Sequence, residues 1–106
     1  MITIEESSGN VYADLGIPQA DEMLIKAQLA TKIREIIMHR GWTQQQAADV
    51  LSISQPKLSK MLRGQFRGIS ETKMLECLTR LGRRIQIVVG PDATTGQTGS
   101  VEVVFS

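Results

Sequence analysis

Between residues 21 and 82 the apolar positions recur at helical spacing, in four blocks separated by turn signals. The first block spans 21–40. Met23, Ala27, Ala30, Ile33 and Ile37 fall three or four apart, and Leu29 and Ile36 broaden the stripe. Asp21 and Glu22 at its start, and His39 and Arg40 at its end, complement the helix dipole. Gly41 then stops it. Thr43-Gln44-Gln45-Gln46 has the form of a capping box, in which the Thr hydroxyl caps and Gln46 reaches back. It predicts a short helix to about Leu51, with Ala47, Ala48, Val50 and Leu51 inward. Ser52-Ile53 is a turn, and Ser54 is a good N-cap for the next helix. Pro56 falls in the first turn of that helix, where a missing N–H costs little. Leu58, Met61 and Leu62 form its apolar side, and Gly64 ends it. A loop over 65–69 leads to Ser70, which caps a fourth helix to about Leu81 with Met74, Leu75, Leu78 and Leu81 inward. Gly82 is its stop.

Outside this body the pattern changes. Residues 1–20 read as irregular, with a flexible Ser7-Ser8-Gly9-Asn10 cluster and a break at Gly16-Ile17-Pro18. Ile2-Thr3-Ile4 reads as a short strand, and Val11, Tyr12, Leu15 and Ile17 as apolar anchors for the arm. After Gly82, residues 84–89 are β-branched and partly alternating, residues 91–100 are rich in Gly, Thr and Ser, and residues 101–105 read as a second strand. Two lone strands are marginal in water. The simplest completion is the same hairpin of a second subunit, through Ile85, Ile87, Val89, Val101, Val103 and Phe105, with packing inside one chain as the alternative. The expectation is one mainly α domain: a helix-turn-helix bundle of four to five helices with a C-terminal β-strand or hairpin. Its parts are an arm at 1–20, a body at 21–82 and a hairpin at 83–106.

Composition leaves this picture intact. The chain has 106 residues, 42% hydrophobic and 22% charged, which suits one globular domain. No apolar run approaches the roughly 20 residues of a bilayer span. Glu5 and Glu6 stand where a secretory leader carries Lys or Arg, so a cytoplasmic protein is expected. One Cys and one His, Cys77 and His39, give neither a disulfide nor zinc-ligand spacing. No cofactor is expected. No nucleophile–base set, phosphate loop or metal spacing supports an enzyme.

Charge does change the picture. The net charge of +1 hides a segregation. Residues 1–25 hold five acids and no Lys or Arg, residues 26–90 hold all 12 Lys and Arg against four acids, and residues 91–106 hold two acids. The middle of the chain therefore has the basic footprint of a phosphate binder. A solvated basic face with an acidic arm folded over it is the other reading.

Two short helices joined by a tight turn, with a helix on either side, make a helix-turn-helix. From 54 to 67 the charged residues are Lys57, Lys60, Arg63 and Arg67, with no acid. Ser54, Gln55, Ser59 and Gln65 lie between them. Lys and Arg meet phosphates or guanine acceptors, and Gln pairs with adenine. Double-stranded DNA, entered by the second short helix in its major groove, is the expected partner. Gln55 and Lys57 are read as contacting bases, with phosphate contact as the alternative.

The segment from Trp42 to Gly64, WTQQQAADVLSISQPKLSKMLRG, resembles the helix-turn-helix of lambda-repressor-like (XRE-family) proteins. That resemblance implies that Gln44 meets backbone phosphate. It implies that Ser54, Gln55, Lys57 and Lys60 face the major groove, and that Arg63 and Gln65 hold the backbone beyond it. Ser52 departs from the family, which often has Gly in this turn; a non-Gly residue at positive φ is mildly costly. Residues 9–16 (GNVYADLG), 26–30 (KAQLA), the 63–68 loop (RGQFRG) and the strand pattern after Leu81-Gly82 resemble HigA-type antitoxins. That branch implies a homodimer that represses its own operon and binds an mRNA-cleaving toxin of the RelE/HigB type. The acidic arm 1–22 is the expected toxin-binding surface, because such ribonucleases are basic. A stand-alone phage-type repressor, and an interaction module without DNA binding, are the other readings.

Several residues have simpler roles. Trp42 is expected to pack where the first two helices meet rather than to stack on a base. Cys77, one turn from Met74 and Leu81, belongs to a core or interface. His39 is a dipole partner, and Arg83 and Arg84 are solvated charge.

Overall fold

A computed structural model describes residues 10, 15–16, 19–92 and 98–106. Four helices follow in order: α1 (Ala20–His39), α2 (Gln44–Leu51), α3 (Gln55–Leu62) and α4 (Glu71–Arg80). Each lies within a residue or two of the boundaries its caps predict.

The termini show why. At the end of α1, the Gly41 N–H donates to the Met38 carbonyl at 3.1 Å and the Trp42 N–H to the Ile37 carbonyl at 3.3 Å, which is a Schellman closure. The capping box of α2 is complete. The Thr43 N–H donates to Gln46 Oε1 at 2.9 Å, and the Gln46 N–H donates to Thr43 Oγ1 at 3.1 Å. Ser54 and Ser70 accept from the backbone N–H of Lys57 and Lys73, at 3.3 and 3.1 Å. These bonds satisfy N–H groups that have no partner inside the helix. Three short helices are thereby delimited by their own sequence.

α1 crosses the body and packs on α4 and α3, while α2 packs on α3 and α4. Ile33, Ala47, Leu51, Leu58 and Met74 are fully buried where they meet. Cys77 lies in this core, as its spacing predicts. Trp42 packs half-buried against the core, with the Arg40 guanidinium 4.9 Å from its ring centre. Arg40 also donates to the Leu81 carbonyl at 2.6 Å, tying the end of α1 to the end of α4.

Three expectations need correction. Val50 is exposed, because Ala47, Ala48 and Leu51 already fill the inward side of two turns of helix. Leu15, expected to anchor the arm, is 71% exposed. Asn10 is buried instead, and its Nδ2 donates to the Ala20 carbonyl and Asp21 Oδ1. The strand at 2–4 and the anchors Val11, Tyr12 and Ile17 lie outside the described residues.

The third correction concerns the C-terminal hairpin. Among the described residues there is no β-strand. Ile85 and Val103 pack against the core, and the Phe105 ring lies 5.5 Å from Lys32 Nζ on α1. Ile87, Val88, Val89, Val101 and Val104 are each more than three-quarters exposed. Ile85 from one segment and Val103 and Phe105 from the other reach the body, and among the described residues nothing covers the rest. A two-stranded ribbon without a backing layer gains too little burial to order itself. Among the described residues, no helix is long and apolar enough to cross a membrane.

Candidate nucleic-acid interface

The two short helices of the motif meet across a three-residue turn, 52–54. Ser52 takes φ 56°, ψ 42°, the left-handed region that its departure from Gly implied. Its N–H and that of Ile53 donate back to the carbonyls of Asp49 and Ala48. Ser54 then returns the chain to an extended conformation and caps α3.

α3 has two sides. Leu58 and Met61 are buried and Leu62 half-buried. Gln55, Pro56, Lys57, Lys60 and Arg63 are exposed, and Ser59 is half-buried between the two sides. The helix closes at Gly64, whose φ of 84° is open to glycine at little cost. The Gln65 N–H reaches back to the Lys60 carbonyl at 2.8 Å. The chain thereby turns beside α3 instead of leaving it.

That turn assembles an open cleft. Ser54, Lys57 and Lys60 from α3 and its cap line one wall, and Gln65, Arg67 and Gly68 line the other. Three cations line the cleft, and among the described residues no carboxylate does. Among the described residues, Lys57, Lys60, Arg63 and Arg67 make no ion pair. Unneutralised cations around a concave surface attract a polyanion and gain by displacing its counterions. Gln44, Gln55, Ser59 and Arg63 do not line this cleft, although the first, second and fourth are exposed on the same pair of helices.

The loop after α3 holds features that sequence reasoning missed. Phe66 and Ile69 are buried, at 2% and 6% exposure. Lys26 of α1 is buried at 4% and reaches the same loop. The signal was present, since Lys26 stands three residues after Met23 and three before Leu29, on the buried stripe of α1.

Neither of the two groups with a shifted titration lines the cleft. Burial pushes the Cys77 thiol above its ordinary value. Lys73 and Arg80 hold the Glu76 carboxyl below its ordinary value, Lys73 first through a hydrogen bond. Among the described residues no group of three His, Cys, Asp or Glu side chains is arranged for a metal.

A helix-turn-helix domain family matches residues 11–90, three-quarters of the chain. The chain belongs to this helix-turn-helix family. A solved structure whose description assigns it to the XRE family of transcriptional regulators is similar at 27% identity and a TM-score of 0.76. The similarity covers 84% of this chain and all of that one. No curated protein matches. Family and structural likeness support a DNA-binding transcriptional regulator.

Proposed function

We propose that this helix-turn-helix protein is a sequence-specific repressor that binds its own promoter as a two-fold dimer and serves as the antitoxin of a toxin–antitoxin pair. The observation that carries DNA recognition is the cleft, free of acids among the described residues, where Lys57, Lys60 and Arg67 converge beside the exposed side of α3. Gln55 and Lys57 read base edges in the major groove, while Gln44, Arg63, Gln65 and Arg67 hold phosphates on either side. Ser54 and Ser59 lie between them with hydroxyls able to donate and accept.

The dimer reading is supported by apolar side chains left bare among the described residues, Ile87, Val89, Val101 and Val104. A second copy packing its C-terminal segments there would cover them and would present a second α3. The antitoxin reading rests on the HigA-type resemblance and on the acidic N-terminal 25 residues, which suit a basic RelE/HigB-like partner.

The test is titration of the purified protein against its upstream promoter DNA at two salt concentrations, with scrambled DNA as competitor. Tight binding that prefers the promoter and weakens with salt is expected. A Lys57→Ala/Lys60→Ala variant should bind at least about tenfold more weakly and with a shallower salt slope. Undiminished binding by that variant would remove the assignment to α3. For the antitoxin role, an adjacent gene for a small basic protein should arrest growth when expressed alone, and coexpression of this chain should restore it.

A further inference from the structure

Lys26 is the one buried cation among the described residues. Lysine is almost never fully buried unless its charge is met. Here Nζ donates to the Arg67 carbonyl at 3.1 Å and the Phe66 carbonyl at 3.5 Å. It also lies 3.4 Å from Glu22 Oε1 and 3.8 Å from Glu71 Oε1. Those carboxylates stand in the first turns of α1 and α4. Of the three ammonium protons, two go to these carbonyls, and both carboxylates lie within ion-pair distance of the charge. One side chain therefore ties together α1, α4 and the loop between α3 and α4.

The loop is held at its start, where the Gln65 N–H donates to the Lys60 carbonyl, and on its inner side. Phe66 and Ile69 insert into the core, and Lys26 grips the carbonyls of residues 66 and 67 from behind. On the outer side the Arg67 side chain is exposed and lines the cleft with Lys57 and Lys60. We infer that Lys26 is a positioning residue for DNA binding: its grip on the loop backbone sets Arg67 and Gln65 against the phosphates flanking the groove that α3 reads. This rests on the DNA-binding reading above. Lys26 itself does not touch DNA. It removes the ordering cost that a free loop would pay on binding.

The test replaces Lys26 with Met, which keeps the stem and loses the donors, and pairs it with Glu71→Gln to restore the local net charge. Promoter affinity of Lys26→Met/Glu71→Gln should fall about tenfold, and the salt slope should drop by about one per subunit, the loss of one phosphate contact. Arg67→Ala should do the same. Adding Arg67→Ala to the Lys26 variant should cost little more, because the contact is already gone. A purely structural lysine would lower the unfolding midpoint and leave the slope alone. Wild-type affinity and slope in the Lys26 variant, or full additivity with Arg67→Ala, would overturn the inference alone. No promoter preference in the unsubstituted protein would remove the DNA-binding reading and this inference with it. If the variant does not fold, backbone relaxation of the unsubstituted free protein decides. Residues 65–69 as rigid as α3, with order parameters near about 0.85, support the grip, and values below about 0.6 overturn it.

Discussion

Ser52 spends a few tenths of a kilocalorie or more on a conformation that glycine adopts freely. It sits at φ 56° because its own N–H and that of Ile53 must turn back onto Asp49 and Ala48 for α3 to start where it does. Its side chain is exposed, so nothing else is lost on replacing it. Ser52→Gly should stabilise the fold by about 0.5–1 kcal/mol, raising the thermal midpoint by a few degrees, with DNA affinity unchanged. A lower midpoint in a calorimetric scan would show that the Ser hydroxyl contributes more than the backbone strain costs. Glu76 offers a second check at this scale. Its carboxyl is held below its ordinary value by Lys73 and Arg80, so the unfolded chain binds the proton more readily. Its contribution to stability is therefore present above the ordinary glutamate value and disappears as pH falls through the lowered one. Glu76→Gln should be slightly less stable than wild type at neutral pH, and the two should converge in acid. The gap should shrink with salt, since the group is exposed. A gap that persists in acid would place the effect in helix propensity instead of charge.

At the scale of elements, α3 is eight residues long and would not hold as an isolated helix. Its order comes from two caps and from Leu58 and Met61. Leu58→Ala should lower the unfolding free energy by about 2–5 kcal/mol, read as a shifted urea midpoint with an unchanged slope. Lys60→Ala, on the exposed side, should stay within about 0.5 kcal/mol of wild type and weaken DNA binding only. Equal destabilisation by both would mean that α3 is not divided into a packing side and a binding side. The same contrast explains what was legible in the sequence. The helix boundaries were legible because Thr43, Ser54, Ser70 and the closing glycines act on backbone groups within four residues of themselves. The cations of α3 were legible because an eight-residue amphipathic helix has one inward stripe. The interior of the loop was not. Phe66, Ile69 and Lys26 acquire their roles only when α1 comes to rest some forty residues away in sequence. The C-terminal segments were misread for the opposite reason. β-branched alternation states a preference for a pleated surface, but it does not supply the layer that such a surface needs.

At the scale of the whole molecule, one α3 spans about 12 Å, enough for a few base pairs, so one subunit reads too little sequence to mark a promoter. On the proposed dimer reading, the bare apolar side chains Ile87, Val89, Val101 and Val104 and the short reach of α3 have the same remedy, a two-fold pair with its recognition helices about 34 Å apart. Such a pair would require an operator of inverted half-sites one turn apart on one face of the duplex. Inserting about 5 base pairs between them turns one half-site to the opposite face, and affinity should fall to that of a single half-site. Ile87→Glu/Val104→Glu alters side chains that the single chain leaves exposed, so each subunit should keep its fold while sedimenting as a monomer. On the native operator this variant should bind no better than wild type binds a single half-site, and it should be indifferent to the insertion. Charge adds a check independent of spacing. Because the 12 Lys and Arg lie between residues 26 and 90, pairing doubles the cations offered to the duplex, and the salt slope of the native protein should be about twice that of the monomeric variant. Equal slopes together with indifference of the wild type to the insertion would show that this chain binds DNA one subunit at a time, and the bare apolar side chains would then belong to some other contact.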